Sequence, residues 1–310
     1  MISRRSILRF FIVTGITMAT PIALHAAPPL DVIASFSILG DMVHQVGGSR
    51  VRVTTLVGPD GDGHVYQPTP ADARAVANAR LLVVNGLGFE GWMERLIEAS
   101  GYHGTVVTAS DGIQPRNMAE PEAEHDAHDA DHHHHGDLDP HAWQSLANAR
   151  IYTRNIVQGL SLADPAGAET YRTNATRYLE QINAVEAEVN AAIAAITPQR
   201  RKVVTSHDAF GYFAAAYGIQ FLAPSGVSTE SEASAADVAR LIHQIQQEKI
   251  PAVFVENISD PRLLEQITHE TDARIGGTLY SDALSAANGP AATYLDLFRH
   301  NIRTLADALR

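Results

Sequence analysis

Three histidines and one aspartate stand where their side chains could bind one metal ion together. His64 lies in a glycine- and proline-rich loop, GPDGDGHVYQPTP, that begins where the second predicted strand ends. His207 follows the strand that opens the second half of the chain, and Asp282 follows the last predicted strand. Because ligands of open α/β sheets collect beyond the carboxyl ends of the strands, we expect these side chains to meet at such an edge. The fourth candidate is His141, in the segment DPHAW.

The neighbours of two of these histidines suit a metal site. A proline stiffens the backbone before His141, and Trp143 offers an apolar wall beside its imidazole. An aspartate, Asp62 or Asp139, stands two residues before His64 and before His141. We expect each of these carboxylates to accept the imidazole N–H, the arrangement that fixes the tautomer and orientation of histidine ligands.

The donor set predicts which metal is bound. The sequence has no cysteine, so a metal site must use nitrogen and oxygen donors. Three imidazoles and one carboxylate favour Zn2+ over Mn2+ or Fe2+, which prefer more oxygen, whereas a glutamate in place of His207 would favour manganese. Glu256 is an alternative to Asp282 as the fourth ligand because it also ends a predicted strand. Since histidine must be deprotonated to bind metal, we expect the affinity to fall as the pH drops through about 6.5.

A second group of histidines lies in the segment 118–137, which is acidic and almost free of large apolar residues. Such a composition cannot build a core and predicts a mobile loop that binds metal weakly, in several arrangements. The histidines of this accessory site are His125, His128, His132, His133, His134 and His135.

Short β-branched runs alternate with helix-length segments and predict eight strands, four in each half of the chain. This alternation is typical of two four-stranded α/β lobes. The predicted strands are 32–36, 51–57, 81–85, 105–108, 202–206, 219–222, 252–256 and 274–279.

One long amphipathic helix is predicted between the two halves. Asp164 would be its N-cap, Pro165 its first residue, and apolar residues recur at steps of three and four up to Ile196. Its length of roughly 46 Å would let it run along both lobes as a rigid connector, although a plain core helix inside one domain is the alternative. The predicted division is a first lobe at 27–160, a linking helix at 164–197 and a second lobe at 198–310.

The first 26 residues read as a cleaved secretory signal. Arg4, Arg5 and Arg9 precede an apolar run at 10–24 that ends in small residues. The arginine pair also resembles a twin-arginine signal, so the general and the twin-arginine export routes both remain open. Export to the periplasm is expected by either route, and a formal net charge of −12 makes nucleic acid an unsuitable partner.

The chain resembles the zinc- and manganese-binding solute-binding proteins of ABC importers, the ZnuA-like and TroA-like group, and is most similar to the zinc-specific AztC-like members. The motifs GPDGDGHVYQPTPAD, DPHAW, TSHDAFGYF, VFVEN and GTLYSDALS stand in the family's order and span nearly the whole chain after residue 26. The resemblance implies two α/β lobes joined by a long helix, with Zn2+ in the cleft bound by His64, His141, His207 and Asp282. It also implies delivery of the metal to an importer permease in the inner membrane. We expect a monomer, and the sequence leaves open whether a periplasmic metallochaperone loads the protein.

Two other classes of function remain as alternatives. A periplasmic zinc hydrolase would activate water at an open coordination position, but the sequence contains no HExxH or HxHxDH string. A metal buffer would bind several weak equivalents through the histidine-rich segment alone. We therefore expect a binding protein with no catalytic residues.

Overall fold

The computed structural model describes residues 28–117, 138–231 and 233–310. Eight strands form two four-stranded sheets in which every pairing is parallel, with the strand orders β2-β1-β3-β4 and β6-β5-β7-β8. Helices pack on these sheets, so the predicted two-lobe α/β fold is confirmed. The strands are β1 (Leu30–Phe36), β2 (Val51–Val57), β3 (Leu81–Val84), β4 (Thr105–Thr108), β5 (Lys202–Val204), β6 (Gln220–Leu222), β7 (Ala252–Glu256) and β8 (Arg274–Leu279).

Nine α-helices are present among the described residues. The apolar faces of their amphipathic sequences pack inward, as the 3.6-residue period requires. The helices are α1 (Ser37–Gly47), α2 (Pro70–Asn78), α3 (Met93–Ser100), α4 (Leu146–Ala163), α5 (Ala168–Ala194), α6 (Gly211–Tyr217), α7 (Ala235–Glu248), α8 (Arg262–Glu270) and α9 (Tyr294–Leu309). None of the described helices is long and apolar enough to cross a membrane.

The long connecting helix begins later than predicted. Asp164 precedes a 3-10 turn rather than the α-helix itself, and its carboxylate accepts hydrogen bonds from Arg50 (2.7 Å) and from the Tyr171 hydroxyl (2.6 Å). A 3-10 turn at Pro165–Gly167 comes next, and α5 then runs for 27 residues, roughly 40 Å. α5 packs against α1 and α4 from the first half of the chain and against α6 and α9 from the second half, so it contacts helices from both halves.

Most strand boundaries match the sequence, and the differences occur beside polar residues. β1 begins two residues earlier than predicted, β6 begins one residue later, and β3 and β5 end before Asn85 and Thr205. The Asn85 amide instead donates hydrogen bonds to the carbonyls of Gly86 and Pro140, both at 2.9 Å. The signal segment 1–26 and the histidine-rich segment 118–137 lie outside the described residues, and the division into lobes at 27–160 and 198–310 stays a prediction.

Candidate metal site

The four candidate ligands converge in the interior of the protein. One ligand atom from each of His64, His141, His207 and Asp282 lies within 4.8 Å of all the others. The Nε2 atoms of His64 and His207 are 3.3 Å and 3.2 Å from Asp282 Oδ2, and Nε2 of His141 is 3.5 Å from Oδ1. Relative exposure is 7% for His64, 1% for His207 and 0% for the other two, so the cluster is shielded from water.

The fold explains why residues so distant in sequence meet here. His64 follows β2, His207 follows β5 and Asp282 follows β8, so three of the four lie beyond the carboxyl ends of parallel strands, as predicted. His141 immediately precedes a 3-10 turn at Ala142–Gln144 that leads into α4. Both halves of the chain therefore contribute two side chains each.

Direct hydrogen bonds join the segments that hold His141 and Asp282. The carbonyl of Ser281 accepts from the Trp143 indole at 2.8 Å and from the Gln144 amide at 2.7 Å. The indole also makes an edge contact with the His141 ring, with ring centres 5.2 Å apart, so the predicted apolar wall is present. These buried contacts fix the positions of His141, from the first half, and Asp282, from the second half, relative to each other.

Close packing against Phe89 positions His64. The two rings meet edge to face with centres 4.8 Å apart, and the Trp92 indole donates to the carbonyl of Gly63 at 2.8 Å. A Cβ atom at Gly63 would lie only 2.5 Å from the Phe89 ring, so a glycine is required at this position.

A carboxylate lies behind two of the three imidazoles. Asp139 Oδ1 is 2.9 Å from His141 Nδ1 and also accepts from the His141 backbone N–H, as the sequence predicts. Behind His207, Glu256 Oε1 accepts the backbone N–H at 2.9 Å, and Oε2 lies 2.8 Å from Nδ1, a close contact rather than an aligned hydrogen bond. These contacts direct Nε2 of both rings toward Asp282.

Glu256, the alternative fourth ligand, and Asp62, the expected acceptor of an imidazole N–H, make other contacts in the structure. Glu256 does not compete with Asp282 for the fourth place in the cluster, because it lies on the far side of the His207 ring. Asp62 accepts the backbone N–H of His64 at 2.9 Å rather than an imidazole N–H. That Glu256 lies near His207 could have been inferred from strand order, since β7 and β5 are neighbours whose carboxyl ends share one edge.

Charge is tightly coupled within the cluster. Burial lowers the pKa of His141, but the charge of Asp282 and the contact with Asp139 outweigh it and raise that pKa to about 9. Burial likewise lowers the pKa of His207, and Glu256 and then Asp282 raise it well above its ordinary value. Burial raises the pKa of Asp282, whereas His141 and His207 hold it well below its ordinary value. Each of these three shifts therefore favours the charged form of its group.

The donor atoms suit a cation between them. Both Asp282 oxygens and His207 Nε2 are buried and lack a well-aligned hydrogen-bond partner among the described residues. Unpaired buried polar atoms are costly, and a metal ion at the centre of the cluster would satisfy all three. Three neutral nitrogens and one carboxylate form a four-coordinate set, the usual number for Zn2+.

The ends of the histidine-rich segment lie near this site. Asn117 and Leu138, which flank it, pair as an antiparallel bridge, and Asp139 donates its backbone N–H to the Arg116 carbonyl at 2.9 Å. The described residues on either side of the segment therefore meet three residues before His141 in the chain. Its six histidines lie outside the described residues.

Known proteins resemble this chain over most of its length. The manganese-binding lipoprotein MntA of Halalkalibacterium halodurans is 32% identical over 280 residues, covering 90% of this chain and 88% of that protein. The iron-binding protein YfeA of Yersinia pestis is 34% identical over 281 residues, covering 90% and 86%. The solved structure of the periplasmic zinc-binding protein TroA from Treponema pallidum has a TM-score of 0.81 and 29% identity, covering 91% of this chain and 99% of that one.

These names include manganese, iron and zinc, so the likeness supports metal binding without selecting the zinc-specific AztC-like subtype. Residues 32–308 match the family ZnuA, described as "Zinc-uptake complex component A periplasmic". The chain therefore belongs to this family of metal-binding substrate-binding proteins of ABC importers.

Proposed function

We propose that this protein binds one Zn2+ ion tightly in the periplasm and delivers it to the permease of an ABC importer in the inner membrane. The observation that carries the proposal is the buried cluster of three imidazole Nε2 atoms and a single carboxylate. Zn2+ accepts such a nitrogen-rich, four-coordinate set, whereas Mn2+ and Fe2+ prefer more oxygen donors. Glu256, a further carboxylate at this edge, contacts the far side of His207 and is not a member of the cluster.

Manganese or iron is the second candidate cargo. It is favoured by the relatives, since MntA is named for manganese and YfeA for iron. The two candidates differ in the expected order of affinities. A nitrogen-rich site that carries zinc should bind Zn2+ much more tightly than Mn2+ or Fe2+.

The geometry supports carriage of the metal rather than catalysis on it. A hydrolytic zinc site keeps a coordination position open to water and substrate. Here four protein donors surround the centre, and none is more than 7% exposed. Delivery would then need the two halves to separate, and we infer that docking on the permease supplies this step. A monomer is expected to suffice, and loading by a metallochaperone is compatible with this scheme.

The histidine-rich segment would assist capture. Asn117 and Leu138, the described residues on either side of it, pair with each other three residues before His141. Metal held weakly by the segment would therefore be concentrated beside the cluster. This arrangement acts on the rate of loading more than on the final affinity. A pure metal buffer would instead depend on this segment for all of its binding.

Deletion of residues 118–137 should leave one tight zinc site. The four ligands lie outside that segment, so competition titration with a chelator should give one equivalent of similar affinity for the intact and the shortened chains. His64→Ala in the intact chain serves as the comparison and should weaken binding far more. Loss of all tight binding on deletion would instead support the buffer, and a site that prefers Mn2+ or Fe2+ would refute zinc as the cargo.

Replacement of His207 by glutamate should shift the metal preference toward manganese. The change exchanges one nitrogen donor for oxygen, which Mn2+ prefers, and places a second carboxylate beside Asp282. The ratio of the Zn2+ to the Mn2+ dissociation constant, measured by the same competition assay, should rise at least tenfold. His243→Glu, on the exposed face of α7, is the matched control and should leave the ratio unchanged. An unchanged ratio in the His207 variant would show that donor type does not set the selectivity.

A further inference from the structure

One carboxylate connects a candidate metal ligand to the opposite half of the protein. Asp62 Oδ1 accepts the backbone N–H of His64 at 2.9 Å, and Asp62 Oδ2 accepts the hydroxyl of Thr229 at 2.7 Å. Thr229 belongs to the segment between β6 and α7. The Asp62 side chain thus connects the His64 backbone to Thr229 on the other side of the cleft.

His64 depends on this connection more than the other two histidines do. His141 and His207 each have a carboxylate against Nδ1 that comes from their own half of the chain, Asp139 or Glu256. Among the described residues no carboxylate lies against Nδ1 of His64, and His64 is also the most exposed member of the cluster. Its position therefore rests on its backbone and on the Phe89 contact.

The segment that carries Thr229 also lies beside His207. His207 pairs with Ser225 as a parallel bridge, and the Asp208 backbone N–H donates to the Gly226 carbonyl at 3.1 Å. The Asp62–Thr229 hydrogen bond therefore joins the loop that carries His64 to the backbone segment that pairs with His207. Separation of the two ligands requires this bond to break.

Two further contacts attach the His64 loop to the second half. The Asp60 backbone N–H donates to the Leu284 carbonyl at 2.9 Å, and the Asn257 amide donates to the Asp60 carboxylate at 2.9 Å. These bonds lie toward the start of the loop, whereas the Thr229 bond lies next to the ligand. Thr229 is only half-buried, so its bond can be reached from the surface without opening the core.

We propose that Thr229 is a positioning residue that holds His64 in the metal site through Asp62 and so sets how long the metal stays bound. The inference rests on the proposed function and concerns the residence time of the metal rather than its identity. When the bond is present, His64 and His207 are kept at a fixed separation. When it is lost, the His64 backbone is released toward solvent and the metal loses its most exposed ligand first.

Thr229→Val tests this proposal because valine keeps the shape of threonine and removes only the hydroxyl. The rate of Zn2+ loss to an excess of chelator, followed by stopped flow on the zinc-loaded full chain, should rise about tenfold, the factor expected for one hydrogen bond to a charged group. Thr229→Ser retains a hydroxyl and should restore a rate near that of the wild type. Thr268→Val, which removes a hydroxyl that bonds only a backbone carbonyl on α8, is the matched control and should change nothing.

A double-mutant cycle separates this role from a merely structural one. In an Asp62→Ala background the valine change should have no further effect on the release rate, because the bond is already gone. The melting temperature of the metal-free chain should be the same for the valine and serine variants. A valine variant that releases zinc within twofold of the wild-type rate, or a serine variant as fast as valine, overturns the inference but leaves zinc binding intact. If the wild type holds no tight zinc, the proposed function fails and this inference fails with it.

Discussion

Replacement of Asp282 by asparagine should weaken Zn2+ binding by roughly 100- to 10,000-fold. The residue is fully buried and supplies the only carboxylate in the four-residue cluster, so its loss leaves a doubly charged ion among neutral donors. Removal of one partner from a buried charged pair costs about 3–5 kcal/mol, which corresponds to that range of dissociation constants. Chelator competition on the purified variant measures the change.

Asp41→Asn provides the matched control for this experiment. Asp41 is also a largely buried carboxyl group; burial raises its pKa, and it accepts hydrogen bonds from Gln45 and Tyr294 rather than from the cluster. Its replacement should affect the free energy of unfolding while leaving the zinc affinity near the wild-type value. Equal losses of affinity in both variants would mean that general destabilisation, and not a missing ligand, explains the Asp282 result.

The strand-end rule explains why most of the site could be predicted from the sequence. His64, His207 and Asp282 each follow a β-branched run, and parallel strands bring their carboxyl ends to one edge. The two sheets follow from the same alternation of periods, with strand boundaries correct to within two residues. The local sequence pattern is thus sufficient to predict which backbone positions face the cleft.

Contacts between segments that are distant in sequence could not be predicted in the same way. The carboxylate behind His207 comes from Glu256, 49 residues away, and nothing in the spacing distinguishes that role from a ligand's. The spacing of Asp62 and His64 repeats that of Asp139 and His141, yet one aspartate reaches a backbone N–H and Thr229 while the other reaches an imidazole. The start of the long helix was misplaced for the same reason, since Asp164 bonds Arg50, 114 residues away, instead of capping.

The apparent affinity for Zn2+ should rise steadily between pH 6.5 and about 9, well above the range expected for unperturbed histidines. In the metal-free protein the pKa of His141 is raised from the ordinary value of about 6.5 to about 9, because Asp282 and Asp139 outweigh the effect of burial. The metal must displace this proton, so binding tightens about tenfold for each pH unit and for each proton released. From pH 7 to pH 9 His141 alone contributes about 50-fold, and His207, whose pKa is raised in the same direction, adds to it.

The free energy of unfolding of the metal-free chain should fall as the pH rises, whereas the zinc affinity increases. A histidine with a raised pKa contributes stability that is fully present below about pH 6.5 and is lost as the pH rises through about 9. The melting temperature of the metal-free protein should therefore fall across this window. Calorimetry at pH 7 in buffers of different ionisation enthalpy should count between one and two protons released for each Zn2+ bound. Asp139→Asn removes one of the groups that raise the pKa of His141 and should move the contribution of His141 to lower pH. Near-zero proton release at pH 7 would contradict the raised pKa of His141.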